Sequence, residues 1–335
     1  MHLVQIQNQA KRRVAVVEEP KLLLLREVNS TLALAERALS GRRKLSDIAC
    51  DLRTDDALSY DEIYDGRSDW KLLPPIDCPG EPQRVHVSGT GLTHLGSARE
   101  RQAMHLGTIQ DQAHMTDSMR MFEWGRQSGR PADGQIGIAP EWFYKGDGST
   151  VQAPFGSLPI PGHGEDGGEE AEVAAIYIVA ADGTPWRVGM TAGNEFSDHV
   201  FERRNYLNLA ASKLRMCSIG PELVVAPRFD DVSGNVRVLR DGQTIWKKQI
   251  RTGEQNMCHS LANLEHHHFK FAAHRQPGMV HIHFMGADCL SCSEGIHLES
   301  GDVTEIAFEG FGRPLRNTIT AETPLTLPLR VQSMR

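Results

Sequence analysis

The segment of this chain richest in potential chemistry is Glu169-Glu170-Ala171-Glu172, which leads into the apolar run Val173 to Val179. In a strand, residues i and i+2 point to the same side, so Glu170 and Glu172 present two carboxylates together. Like charges a few ångströms apart repel unless a cation or a proton lies between them. All-oxygen ligation suits a hard cation such as Mg²⁺, Mn²⁺ or Ca²⁺. A solvated strand start with acidic residues and no ligand fits the local sequence too, and both readings stay open at this level.

Two other polar segments flank it. Downstream come Gly193-Asn194-Glu195-Phe196-Ser197-Asp198-His199 and then Lys213; upstream lies Pro140-Glu141-Trp142-Phe143-Tyr144-Lys145-Gly146. Taken singly, these are a polar turn, a surface lysine and an amphipathic strand.

In this order, however, the segments resemble the fumarylacetoacetate hydrolase family. Its pattern has a Phe-Lys segment (here Trp142 to Lys145), a Glu-x-Glu on a strand (Glu170 and Glu172) and an Asn-Asp-x-Ser segment (Asn194 to Ser197). A Lys ahead of Gly-Pro follows (Lys213 before Gly220-Pro221), then a Gly-Asp and a Gly-x-Gly tail (Gly301-Asp302 and Gly310 to Asn317). The match covers residues 86–319. It implies an α+β chain, with a mixed β-roll catalytic domain and a small N-terminal α/β domain, commonly assembled as a homodimer. It further implies that Glu170, Glu172 and Glu195 bind a divalent metal, usually Mg²⁺, and that Lys213 lies beside the substrate, with Lys145, Ser197 and His199 as substrate-binding candidates.

The chain departs from the family in three places. Glu195 stands where Asp is usual, His199 replaces an Arg, and Ser97 occupies the place of the histidine base used by the hydrolases. A branch that dehydrates 2-keto-3-deoxy sugar acids lacks that histidine and carries a Glu where Glu141 stands. The resemblance therefore implies dehydration of a 2-keto-3-deoxypentonate to a semialdehyde. Glu141 would be the acid for the departing hydroxyl, with Lys213 assisting proton transfer. The rival readings are acylpyruvate hydrolysis, with His94 or His105 as the missing base, oxaloacetate decarboxylation, and a non-catalytic sugar-acid binding protein.

The elements that must hold these groups can be traced along the chain. Strands are expected through residue 25, then a helix capped near Asn29-Ser30. A Pro- and Gly-rich stretch over 64–85 suggests a boundary, giving a small domain over 1–85, a catalytic domain over 86–319 and an irregular tail over 320–335. Helices are expected near 97–106, 111–126 and 254–268. Strands are expected at Glu172–Val179, Val280–Phe284 and Val303–Phe308, and a hairpin across Arg240-Asp241-Gly242-Gln243. Gly162 to Gly168 reads as a loop beside the metal. Glu265-His266-His267-His268 reads as a solvated helix end, and His281 and His283 as core or sheet-surface residues.

Composition narrows the class. The 335 residues are 40% hydrophobic and 24% charged, as in ordinary globular chains. A net charge of −7 argues against nucleic acid as a partner. The longest leucine run, Leu22 to Leu25, is far short of the roughly 20 residues that span a membrane. With no signal-like N-terminus, a cytoplasmic location is expected, with the six cysteines, including Cys289 and Cys292, reduced.

Overall fold

The computed structural model describes residues 1–106 and 116–334, with side chains for 1–102 and 116–334. Among these residues one mixed sheet gathers thirteen strands and a second gathers five. The long sheet starts with the N-terminal strands Arg53–Ser59, Lys21–Leu25, Lys11–Glu18 and His2–Asn8. It continues through Leu223–Val224, Pro185–Asn194, Ala171–Val179, Val280–Phe284, Val85–Gly89 and Phe143–Asp147. The N-terminal strands join the rest of the sheet by direct pairing of His2 with Val224. The second sheet runs Gln243–Thr252, Val232–Arg240, Val303–Phe308, Leu315–Ala321 and Ser157–Ile160.

The strand Ala171–Val179 is buried at every position. Val173, Ala175 and Tyr177 pack with Val236, Val238, Ile306 and Phe308 of the second sheet. Ala174, Ile176 and Ile178 face the other way, onto Leu32 and Ala35 of the helix Thr31–Gly41 and Ile48 and Leu52 of Leu45–Leu52. A strand covered on both sides loses the polar alternation of an exposed one, which is why the run Val173 to Val179 is continuously apolar.

Several sequence expectations hold. Ser30 caps the helix Thr31–Gly41 by accepting from the Ala33 amide. The hairpin turns at Asp241 and Gly242, both at positive φ, as a two-residue turn with matching twist requires. The helix near 97–106 is Leu95–Leu106; of the one expected at 111–126, residues 111–115 lie outside the described residues, and the rest belongs to Asp117–Ser128. The helix expected over 254–268 is shorter, Leu261–Phe269. Ser260 caps it, and the preceding chain makes turns after Gly253 at φ +96°.

The solvated helix end expected at Glu265 to His268 is corrected: only His266 is exposed, and His267 and His268 are buried. Leu261, Leu264 and His268 follow the i, i+3, i+7 spacing of a helix face turned to the core. That face meets two strands in parallel register, with His281 opposite His86 and His283 opposite Ser88. The result is a cluster of imidazoles. Ring centroids lie 4.9 Å apart for His268 and His281, 5.1 Å for His86 and His281, and 4.6 Å for His86 and His274. Trp142 Nε1 donates to His268 Nδ1 at 3.2 Å, so neutral His268 carries its proton on Nε2, which lies 3.0 Å from His281 Nδ1.

Burial, reinforced by the neighbouring imidazoles, depresses these histidines: His86 to about 4, His283 to about 3 and His281 to about 2. They are neutral in the folded chain near pH 7, whereas the unfolded chain takes up protons near 6.5. Their stabilising contribution is therefore whole above pH 6.5 and is lost progressively as pH falls, down to about 4 for His86, 3 for His283 and 2 for His281. With saturating Mg²⁺ present, the melting temperature should fall between pH 7 and 5, each histidine removing up to about 1.4 kcal/mol per pH unit. His86→Gln should melt with a shallower pH slope than the parent; equal slopes in a thermal-shift series would refute this origin.

Candidate active site and metal centre

The strands Ala171–Val179 and Pro185–Asn194 pair antiparallel, with Ala171 opposite Asn194 and Glu172 opposite Gly193. Their open end carries the three glutamates. Asn194 fastens it: its Oδ1 accepts from the amides of Glu170 and Phe196, and its Nδ2 donates to Thr304 Oγ1 on the second sheet. Glu170, Glu172 and Glu195 each bring a carboxylate oxygen to within 4.8 Å of the others, and all three are buried. At an effective dielectric of ~20, each pair of charges at that spacing repels by on the order of 3 kcal/mol.

Two ammonium groups offset part of this. Lys213 Nζ donates to Glu170 Oε1 and, at 2.6 Å, to Glu195 Oε2. Lys145 Nζ lies 2.6 Å from Glu195 Oε1 and also donates to the carbonyls of Phe196 and Lys213. Burial pulls Lys213 down, but Glu170 and Glu195 outweigh it and hold the ammonium charged. Burial likewise works against the charge of Glu170, and is overcome by Lys213 and His199, which leave it well below the usual carboxylate range. His199 Nε2 is 3.0 Å from Glu170 Oε1, and Ser197 Oγ lies 3.1 and 3.2 Å from the two Glu195 oxygens. All three residues expected to bind substrate, Lys145, Ser197 and His199, are thus engaged with metal-ligand candidates.

The cost of bringing the three carboxyls together falls most heavily on Glu172. Its Oε2 accepts from the Gly286 amide at 2.7 Å, yet burial and then the charges of Glu195 and Glu170 push it well above the usual range. Three convergent carboxylates with only two ammonium groups fit a hard divalent cation held by oxygen ligands.

Glu141 precedes the strand Phe143–Asp147. Glu141, Phe143 and Lys145 are buried, while Trp142 is half-buried and Tyr144 exposed. Phe143 and Lys145 reach the glutamate cluster, Phe143 4.7 Å beneath the Lys213 ammonium and Lys145 beside Glu195; Trp142 reaches the histidine cluster. Residues that sequence reasoning missed surround Glu141. Arg101 Nη1 is 2.8 and 2.9 Å from its two oxygens, and Arg101 Nε is 3.0 Å from Glu202. The Tyr206 hydroxyl donates to Glu141 Oε2 at 2.9 Å. Gly91 makes room: a Cβ there would sit 1.8 Å from Glu141 Oε1.

Neither described alternative supplies a histidine base. Ser97 Oγ bonds the His94 carbonyl, and both His94 nitrogens are taken, by Thr93 at 2.8 Å and Thr252 at 3.0 Å. The His105 side chain lies outside the described residues. The six cysteines are free. No described helix is long and apolar enough to cross a membrane.

No protein-family model matches the sequence, and no curated protein matches it. Solved structures do. An apo 2-keto-3-deoxy-D-arabinonate dehydratase superposes with TM-score 0.70 at 15% identity, over 96% of this chain and 99% of that one. A structure of a 2-keto-3-deoxy-D-arabinonate dehydratase complexed with magnesium and 2,5-dioxopentanoate gives the same figures. A 5-carboxymethyl-2-hydroxymuconate delta-isomerase from Mycobacterium smegmatis gives TM-score 0.58 at 16% identity, over 96% and 100%. The chain has the α+β fold of the fumarylacetoacetate hydrolase family, as its motif order implied.

Replacing Glu172 separates its two roles. With metal chelated, Glu172→Gln should melt at a higher temperature than the parent, because it replaces a buried carboxyl whose ionisation burial, Glu195 and Glu170 all oppose. The parent should gain about 2.7 kcal/mol at Mg²⁺ a hundredfold above Kd, and the variant much less. Equal Mg²⁺ stabilisation of both proteins in differential scanning calorimetry would exclude Glu172 as a ligand.

Proposed function

We propose that this protein is a metal-dependent hydro-lyase that removes water from a 2-keto-3-deoxy sugar acid, with a 2-keto-3-deoxypentonate as substrate and a 2-keto acid semialdehyde as product. The observation that carries the reading is Glu141. It is a buried carboxylate held by Arg101 and Tyr206 in a charge network that reaches Glu170 and Lys213 through Arg101.

Glu170, Glu172 and Glu195 would hold the cation, with Mg²⁺ as the first candidate. When bound, it supplies the Lewis acidity that makes a proton beside a 2-keto carbonyl removable. Every other role belongs to side chains. Both oxygens of Glu141 meet donors, so it rests as an acceptor able to take the C3 proton. Having taken it, Glu141 becomes the acid that protonates the departing hydroxyl. The Lys213 ammonium, fixed between Glu170 and Glu195, contributes positive charge beside the carbon that gains electrons. Lys145, Ser197 and His199 orient the glutamates from behind.

Two further observations support dehydration of a monocarboxylic acid. Acylpyruvate cleavage needs an activated water, and the histidine suited to that task is absent from Ser97 while His94 is fully engaged. The buried lysines and arginines among the described residues, Arg101, Lys145, Lys213 and Arg215, are all paired with protein carboxylates. Residues 107–115 contain neither Lys nor Arg. A second carboxylate at the far end of a substrate thus finds no uncommitted buried cation here, whereas a hydroxylated tail needs none.

The test offers a 2-keto-3-deoxypentonate, an acylpyruvate and oxaloacetate to the Mg²⁺-loaded protein and identifies products by mass. Loss of 18 mass units from the deoxy acid is expected. Pyruvate released from the other substrates, with the deoxy acid untouched, would replace this reading with hydrolysis or decarboxylation. Glu141→Gln and Gly91→Ala should each lower turnover by ~10²–10⁴ while Mg²⁺ affinity persists.

A further inference from the structure

We propose that Tyr206 is the positioning and relay residue through which Glu141 exchanges its proton with solvent, an inference that rests on Glu141 acting as the base beside the metal. Glu141 is only 5% exposed, so a proton it takes from substrate needs a route out. Of its two described partners, Arg101 keeps its protons under all ordinary conditions and only orients the carboxylate. Tyr206 differs in chemistry and in place. Its phenol both donates and accepts, and its hydroxyl reaches Glu141 Oε2 at 2.9 Å. The ring is half-buried in the short turn Tyr206–Asn208, next to Leu207, which is 86% exposed. The hydroxyl lies between Glu141 Oε2 and, at 3.9 Å, the Met121 sulfur, on a residue that is itself half-buried. Burial and the Glu141 charge push its ionisation up, which keeps the proton on the resting phenol.

The reaction gives such a route work to do. Eliminating the C3 hydrogen and C4 hydroxyl from the deoxypentonate leaves a C3–C4 double bond and a hydroxyl on C5. To reach the semialdehyde, a proton leaves C5 and another arrives at C3, moving the double bond to C4–C5. A further proton then arrives at C4 while the C5 hydroxyl releases its own. A buried base isolated from solvent would have to recycle a single proton through all of these transfers. In the relay, protonated Glu141 gives its proton to the Tyr206 oxygen while the phenol releases its own proton to water, so both groups return to their starting state.

The experiment uses the full chain loaded with Mg²⁺ in D₂O and 2-oxobutanoate, a 2-keto acid with C3 hydrogens and no leaving group. Loss of the C3 proton signal is followed by NMR across pH, alongside Mg²⁺ affinity and melting temperature. The parent should wash deuterium into C3. Tyr206→Phe should slow this by at least about tenfold with Mg²⁺ affinity unchanged. Tyr206→His, which restores a group able to pass a proton, should recover part of the rate and move its pH dependence towards the imidazole range. Exchange by Tyr206→Phe at the parental rate overturns the relay and leaves Glu141 as base. Equal slowing in the Phe and His variants, with an unmoved pH profile, overturns it in favour of packing alone. A parent that exchanges nothing overturns the base reading of Glu141, and the relay falls with it.

Discussion

The molecule is organised around a repulsion. Three buried carboxylates converge at the open end of one hairpin, and water, which would ordinarily screen them, is largely excluded. Two lysines reduce the conflict without removing it, and what remains holds Glu195 above, and Glu172 well above, the usual carboxylate range. Such a cluster persists only because the surroundings are rigid enough to hold it. Asn194 ties the hairpin end to the second sheet through Thr304, and the Gly286 amide fixes Glu172 from a neighbouring strand end. Binding energy for a cation is therefore stored in the fold before any cation arrives, which is what preorganisation means for a metal centre.

The strand Phe143–Asp147 and the residues before it show how one alternating segment serves two environments. Its inward positions, Glu141, Phe143 and Lys145, contribute a carboxylate paired with Arg101, a surface beneath Lys213 and a counter-charge for Glu195. The opposite positions include Trp142, whose indole sets the tautomer of His268 and so the direction of the hydrogen bond to His281. A slip of one residue would put Glu141 among imidazoles and Trp142 among carboxylates. Register at this edge is consequently held from both sides, by charge pairing on one face and by ring packing on the other.

Much of this was legible in the residue order, for definite reasons. Glu170 and Glu172 follow from the period of a strand, and Glu195, Lys145 and Lys213 from the motif order, since the chemistry needs those types in that sequence. The turn at Asp241-Gly242 and the cap at Ser30 are local and were readable locally. Arg101, Glu202 and Tyr206 were not, because Arg101 and Tyr206 reach Glu141 from 40 and 65 positions away and Glu202 joins only through Arg101, with no shared spacing or motif. Gly91 carried no signal either, since its importance lies in what a missing Cβ leaves room for. The histidine cluster was misjudged for a related reason. A run of three histidines looks polar, and only the tertiary packing of Leu261–Phe269 against two strands turns His268 inward.

One carboxylate outside the site links the two ends of the chain. Glu222 is buried and accepts from the Tyr60 hydroxyl at 2.9 Å and the Arg313 amide at 3.0 Å, with His2 Nδ1 2.7 Å from its second oxygen. The strand it introduces, Leu223–Val224, lies between His2–Asn8 and Pro185–Asn194, and the latter leads straight into Glu195. The N-terminal strands are thus a retaining wall for the hairpin that carries the three glutamates. Clipping off the first few residues would remove His2 from Glu222 and uncover the edge of Leu223–Val224, only one strand away from Glu195. In evolutionary terms, the amino terminus of this fold is poorly suited to trimming or to exchange by recombination, although no residue in it approaches the chemistry.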